Sequence, residues 1–156
     1  MLLRPADPAD ALAVARVHVR AWRAGYRGLI PDAYLDAMRP EERAARYTFG
    51  LTDPAAPHTI VADDAGTILG FATTVPGELA ALHVDPDHWR RGIGRQLVTA
   101  ARARLGAGPA IVWVLAGNTR AEQLYLADGW QPDGTHRDAE VWGVRVSEIR
   151  FARMLP

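Results

Sequence analysis

The chain has 156 residues, enough for one domain and too few for two. Its 18 basic residues are all arginine and balance 18 acidic ones, and it contains neither cysteine nor lysine. These counts exclude disulfides, thiolate metal sites, a cysteine nucleophile, Schiff-base lysines and a P-loop lysine, and zero net charge argues against a general nucleic-acid surface.

The first helix signal is Asp7-Pro8-Ala9-Asp10: a capping acid, a proline at the first helical position and an acid near the positive end. Leu12, Ala15, Val19, Trp22 and Tyr26 follow at helical spacing, with Gly25 placed to help end the run. Gly28 and Pro31 break the chain before a short helical stretch, Asp32 to Met38, and another helix is expected from Pro40 to near Gly50. The period then changes. Thr59–Ala62 and Ile68–Val75 read as strands joined by Asp63-Asp64-Ala65-Gly66, and Glu78–Val84 as a third strand stopped by Asp85-Pro86. A helix is expected over Gly92–Leu105. The wholly apolar stretch Ile111–Leu115 follows as a central strand covered on both faces, Trp113 included. A helix over Asn118–Asp128 and a terminal pair, Trp130–Trp142 and Val144–Met154, complete the chain. This order predicts a single mixed α/β domain, residues 1–156, on one central sheet. No run approaches the ~18 apolar residues of a membrane span, and Met1–Pro5 is too short for a signal peptide, so a cytoplasmic location is expected.

Arg90-Arg91-Gly92-Ile93-Gly94-Arg95 lies between a strand and the first turn of a helix. Glycines let the backbone approach a ligand closely, and the opening amides of a helix lack internal partners, so this junction suits an anion. From His88 to Arg120 there are six arginines and no acid, a local charge of +6 hidden inside a neutral chain. The loop is neither a dinucleotide fingerprint nor a P-loop. The five histidines (His18, His58, His83, His88, His136) show no ligand spacing, so no metal is expected.

The strand ending Val84-Asp85-Pro86, the Arg91-Gly92-Ile93-Gly94 turn, the next helix and strand, and Asn118-x-x-Ala121-x-x-x-Tyr125-x-x-x-Gly129-Trp130 together resemble the GNAT superfamily of acyl-coenzyme A N-acyltransferases. The motif covers Glu78 to Trp130, and the element order matches over nearly the whole length. One position departs: the family's phosphate motif usually starts with Arg or Gln where this chain has Trp89.

The resemblance implies a mostly antiparallel sheet whose two central parallel strands splay apart, flanked by helices, with acetyl-CoA as co-substrate and no metal. It implies that Leu82, His83 and Val84 supply backbone groups to the pantetheine arm, one amide polarising the thioester carbonyl. Arg90, Arg91, Gly92, Ile93, Gly94 and Arg95 would hold the pyrophosphate, and Asn118 would contact the cofactor arm or simply cap its helix. Tyr125 corresponds to the tyrosine that protonates the departing thiolate, and Glu78 to the general base of several members. His83 is the rival base; plain strand alternation puts 78, 80, 82 and 84 on one face and His83 on the other. Trp22, Tyr26 and Tyr34 are expected to wall the acceptor site, with Asp32 and Asp36 able to attract a cationic amine. The implied activity is direct acetyl transfer to a primary amine of a small molecule or peptide, by a monomer or homodimer with no nucleic-acid or membrane partner. A non-catalytic acyl-coenzyme A sensor or partner-binding module is the competing reading.

Overall fold

The computed structural model describes every residue from Met1 to Pro156. Asp7 opens the N-terminal helical region as its neighbours dictate. Its carboxylate accepts from the Ala9 amide at 2.8 Å, and Asp10 accepts from the Asp7 amide at 2.8 Å. A short 3-10 turn, Pro8–Asp10, leads directly into helix α1 (Ala11–Gly25). Helices α2 (Asp32–Ala37) and α3 (Pro40–Ala44) follow. The third helix stops at Ala44, short of the expected Gly50, with a turn and an irregular stretch beyond it.

Seven strands form one sheet: β1 (Leu2–Pro5), β2 (His58–Asp64), β3 (Thr67–Val75), β4 (Glu78–Val84), β5 (Gly108–Leu115), β6 (Gln131–Val141) and β7 (Val144–Leu155). Their order is β1-β2-β3-β4-β5-β7-β6, and every neighbouring pair is antiparallel except β4–β5. Helix α4 (Ile93–Leu105) makes the crossover between those parallel strands, and α5 (Thr119–Ala127) leads from β5 towards β6. No helix is long and apolar enough to cross a membrane.

Alternation along the strands divides the core between the two faces. One face carries Ala72, Leu79, Val112, Val114 and Phe151 against Leu97, Val98 and Ala101 of α4 and Tyr125 of α5. The opposite face carries Val61 and Phe71 against Val14 and Val17 of α1, while Val19 and Trp22 pack with Leu35, Leu115 and Val146. Each fully buried aliphatic side chain here contributes about 1.5–3 kcal/mol relative to exposure. At the end of α5, Asp128 accepts from Arg102 Nε at 2.8 Å and from the indole of fully buried Trp130 at 2.9 Å. That carboxylate ties α4 to the start of β6.

Two departures from simple alternation position the site. First, β4 and β5 pair only at Glu78↔Ile111 and Leu79↔Val112, and beyond these residues they diverge. Second, β4 bulges at Ala80, because Thr73 opposes Ala81 while Thr74 opposes Leu79. The extra residue switches the faces. Leu79, Leu82 and Val84 therefore join the α4 side, whereas Ala81 and His83 meet the α1 side. Glu78, next to Leu79, falls on the α1 side with His83, so the opposition of these two expected from alternation is corrected.

Trp113 is corrected as well. It is half-buried, and the Arg137 guanidinium stands over its ring at 4.0 Å in place of a helix. Strand β1 has no counterpart among the expected elements. It is only four residues long and is defined by its register with β2, Leu3 opposite Ala62, across most of the N-terminal half.

Candidate active site

The divergence of β4 from β5 opens a continuous cavity of about 610 Å³ that reaches from the start of α4 to the β6–β7 turn. At the α4 end, Gly92 adopts φ = 81° and Arg90 φ = 62°, which swings the chain sharply into the helix. Gly92 supports this without strain because it has no Cβ. No side chain caps α4, and its first internal bond runs from the Gln96 amide to the Gly92 carbonyl. The amides of Ile93, Gly94 and Arg95 consequently have no helical acceptor and bring partial positive charge to the cavity wall. Arg90, Gly92, Ile93, Gly94 and Arg95 line that wall; Arg91 is exposed and does not.

The β3–β4 ladder settles which backbone groups face the gap. The Asp85 amide bonds the Leu69 carbonyl at 2.8 Å, which makes Phe71↔His83 the next hydrogen-bonded pair. The His83 backbone is thus engaged with β3, and the N–H and C=O groups of Leu82 and Val84 point towards β5. This changes the task expected of His83: its side chain, not its backbone, reaches the cavity. The Val84 carbonyl is already occupied, since Trp89 Nε1 donates to it at 2.8 Å. The face of that same indole lies 3.2 Å below the Arg120 guanidinium.

Asn118 is 8% exposed, lines the cavity and also caps α5, its side chain accepting from the Ala121 amide at 3.3 Å. The cap expected of this residue is therefore present, and its position leaves it facing the cavity as well. Tyr125 lies one turn beyond Ala121, 5% exposed, with its ring against Trp130 and Phe151. Burial pushes its phenol up from the ordinary range, and Tyr26 and Asp128 add to the shift. It stays protonated at any ordinary pH.

On the α1 side the cavity is aromatic and basic. His18 and His83 stack at 4.5 Å, and His18 also meets the Trp142 ring at 4.2 Å and shares a hydrogen bond of 2.9 Å with the Tyr47 hydroxyl. Burial pushes the His83 imidazole down to about 3, with Arg120 and Arg43 adding to the effect, and holds His18 well below its usual value. Both rings are neutral. Of the residues expected at the acceptor wall, Trp22 and Tyr26 line the cavity, and burial raises the Tyr26 phenol to about 12. Tyr34 does not line it. Asp32 and Asp36 are exposed, pair with Arg27 at 3.3 and 2.6 Å, and do not line the cavity either.

Two carboxylates lie on this side, and only one of them reaches the cavity. Glu148 lines the cavity and is held by Arg137 at 2.9 Å. Glu78 is half-buried and lies outside the cavity lining; burial raises its carboxyl, Glu148 adds to the rise and Arg137 opposes it. Sequence reasoning missed His18, Arg43, Trp113, Arg120, Trp142 and Glu148 as cavity residues. Only Glu148 carried a readable signal, an acid sharing a strand face with buried Val146.

The acetyltransferase (GNAT) family model matches residues 18–130. The chain belongs to the acetyltransferase (GNAT) family. The GNAT chain is 27% identical to YuaI of Bacillus subtilis, named an uncharacterized N-acetyltransferase, over 94% of this chain and 89% of that one. Its fold is that of a GCN5-related N-acetyltransferase from Rhodopseudomonas palustris, with a TM-score of 0.79 at 21% identity, covering 99% of this chain and 95% of the other. It is also similar to YncA of Salmonella typhimurium, a protein described as a putative acetyltransferase and solved with acetyl-CoA. There the TM-score is 0.72 at 17% identity, covering 100% of this chain and 94% of that one. The acyltransferase class and the splayed GNAT sheet expected from the sequence are both borne out.

Proposed function

We propose that this GNAT chain moves an acetyl group from acetyl-CoA to a primary amine by direct transfer in a ternary complex. The observation that carries the reading is the gap between β4 and β5, which leaves the amides of Leu82 and Val84 unpaired beside the uncapped start of α4. Strand groups of this kind accept an extended amide-bearing arm, and uncapped helix amides with Arg90 and Arg95 accept a pyrophosphate.

The chemistry follows from charge development. The amine nitrogen bonds to the acetyl carbonyl carbon, and the carbon–sulfur bond breaks. An amide of Leu82 or Val84, fixed in direction by the ladder, stabilises the oxyanion as it forms. Tyr125, kept protonated by burial, gives its proton to the departing thiolate. The proton lost by the amine is collected by Glu148 at the cavity wall, with Glu78 outside the lining but within its electrostatic reach. Glu78 remains part of the reading as a neighbour that influences Glu148 rather than the group that meets the amine. Calorimetry with acetyl-CoA, followed by thiol release against an amine panel, tests this. Binding with acceptor-dependent thiol release is expected. Binding without release for every acceptor would leave a sensor, and no binding at low salt would overturn the reading.

A further inference from the structure

On the α1 side of the cavity three N–H donors have no acceptor within the protein: Trp22 Nε1, Trp142 Nε1 and Arg43 Nε. Buried donors are nearly always satisfied, and each orphan is a standing penalty. These three come from α1, from the β6–β7 turn and from α3, yet they form one cluster. The Trp22 and Trp142 rings stack at 5.0 Å, and the Arg43 guanidinium lies 4.1 Å over the Trp142 ring. Arg43 makes no salt bridge with any acid; the polar neighbour that partly sustains its charge is Tyr47. The other part-buried arginines are all engaged: Arg4, Arg102, Arg150 and Arg153 pair with carboxylates, and Arg23 donates to the backbone carbonyls of Leu35 and Met38, which leaves the Arg43 Nε as the unpartnered one.

The backbone adds a second, independent observation. Trp142 and Gly143 are the central residues of the β6–β7 turn, with φ of 53° and 79°. Such a two-residue turn favours Asn or Gly first, and a bulky residue in the left-handed region is strained. The strained position is occupied by the side chain that completes the donor cluster.

Donors alone call for an acceptor-only group, and a cation without a partner calls for an anion. We propose that the amine acceptor is a carboxylate-bearing molecule of amino-acid size, and that its carboxylate is received by Arg43 with the indole N–H groups of Trp22 and Trp142. The apolar and aromatic lining, Ile30, Trp113, Val141 and Val146 among it, receives an apolar side chain, while Glu148 is the anion available to the ammonium end. This rests on the transferase reading of the cavity and narrows its acceptor.

The test uses the full chain saturated with coenzyme A, titrated with leucine, methionine and phenylalanine and with their primary amides, which match in size and keep the amine. The acids are expected to bind roughly ten- to a hundredfold tighter than the amides, the range for one charge-assisted contact. Arg43→Met should reduce the acids to the affinity of the amides and leave coenzyme A affinity unchanged. Three results overturn the proposal: amides binding as well as acids, no acid binding at all, or Arg43→Met weakening acids and amides by the same factor. Absence of coenzyme A binding in the first titration is a separate outcome that overturns the transferase reading beneath it.

Discussion

The indole of Trp89 donates to the carbonyl of Val84 at 2.8 Å, joining the loop before α4 to the last residue of the splayed strand. Arg or Gln is usual at this position in the family pattern, and either would offer a polar side chain to the loop. Here the indole does two things at once, fixing the end of β4 and carrying Arg120 on its face. Trp89→Phe keeps the aromatic face and loses only the hydrogen bond. A net loss of about 1 kcal/mol in the ordering of β4 is expected, which is roughly a fivefold rise in the KM for acetyl-CoA. Trp89→Ala, which also frees Arg120, should raise it further. An unchanged KM in both variants would show that the strand end is ordered without Trp89.

Tyr125 is the second test. Its phenol is raised by burial first and by Tyr26 and Asp128 next, so it remains an acid throughout the range in which amines react. Tyr125→Phe should lower kcat by about a hundredfold, the usual contribution of a positioned general acid, with acetyl-CoA affinity nearly unchanged. Because the raised phenol does not ionise below its ordinary value, the wild-type rate should show no fall from Tyr125 between pH 7 and 9. Equal turnover in the variant and the wild type would remove Tyr125 from the proton-donor role.

The contrast between these two residues shows what the sequence could carry. Tyr125, Asn118 and the Gly92–Arg95 turn were legible because each sits at fixed spacing within one strand–helix–strand–helix stretch, where local rules of capping and helical period suffice. The bulge at Ala80 was not, since Glu-Leu-Ala-Ala-Leu is compatible with plain alternation and only the pairing with Thr73 and Thr74 reveals the extra residue. Arg43 in Pro40-Glu41-Glu42-Arg43 looks like an ordinary exposed helix charge. Its place over Trp142 depends on a turn a hundred residues away in sequence, which no local pattern encodes. The same nonlocality hid β1, whose strand character comes from β2.

The carboxylate pair gives a ranking that differs from sequence-based expectation. Glu148 lines the cavity and Glu78 does not. Glu148→Gln should therefore lower kcat/KM by about a hundredfold, and Glu78→Gln by a smaller factor that changes the acid limb of the pH profile more than its plateau. Glu78 is raised by burial, so its contribution to that limb lies above the ordinary glutamate range and the rate rises with pH through it. The comparison is made from pH–rate profiles of both variants. A larger loss in Glu78→Gln would restore Glu78 as the group that meets the amine.

Stability should fall on mild acidification because of the stacked imidazoles. His83 is neutral in the folded chain down to about pH 3, while an unfolded histidine takes a proton near pH 6.5. Between those values the unfolded chain binds more protons than the folded one, so stability rises with pH across the window and is lost as pH falls through it. His18, 4% exposed and also held neutral, acts in the same direction. Full linkage for one such group between pH 6.5 and 4.5 is about 2.7 kcal/mol, and water entering the open cavity reduces His83 to roughly 1–2 kcal/mol. His83→Gln removes that titration while keeping a polar side chain beside His18. Thermal melts of the two proteins should diverge at pH 7, where the wild type is the more stable, and converge towards pH 4.5. Parallel Tm curves over the whole range would mean that His83 is protonated within the fold, and that the stack with His18 tolerates a charge.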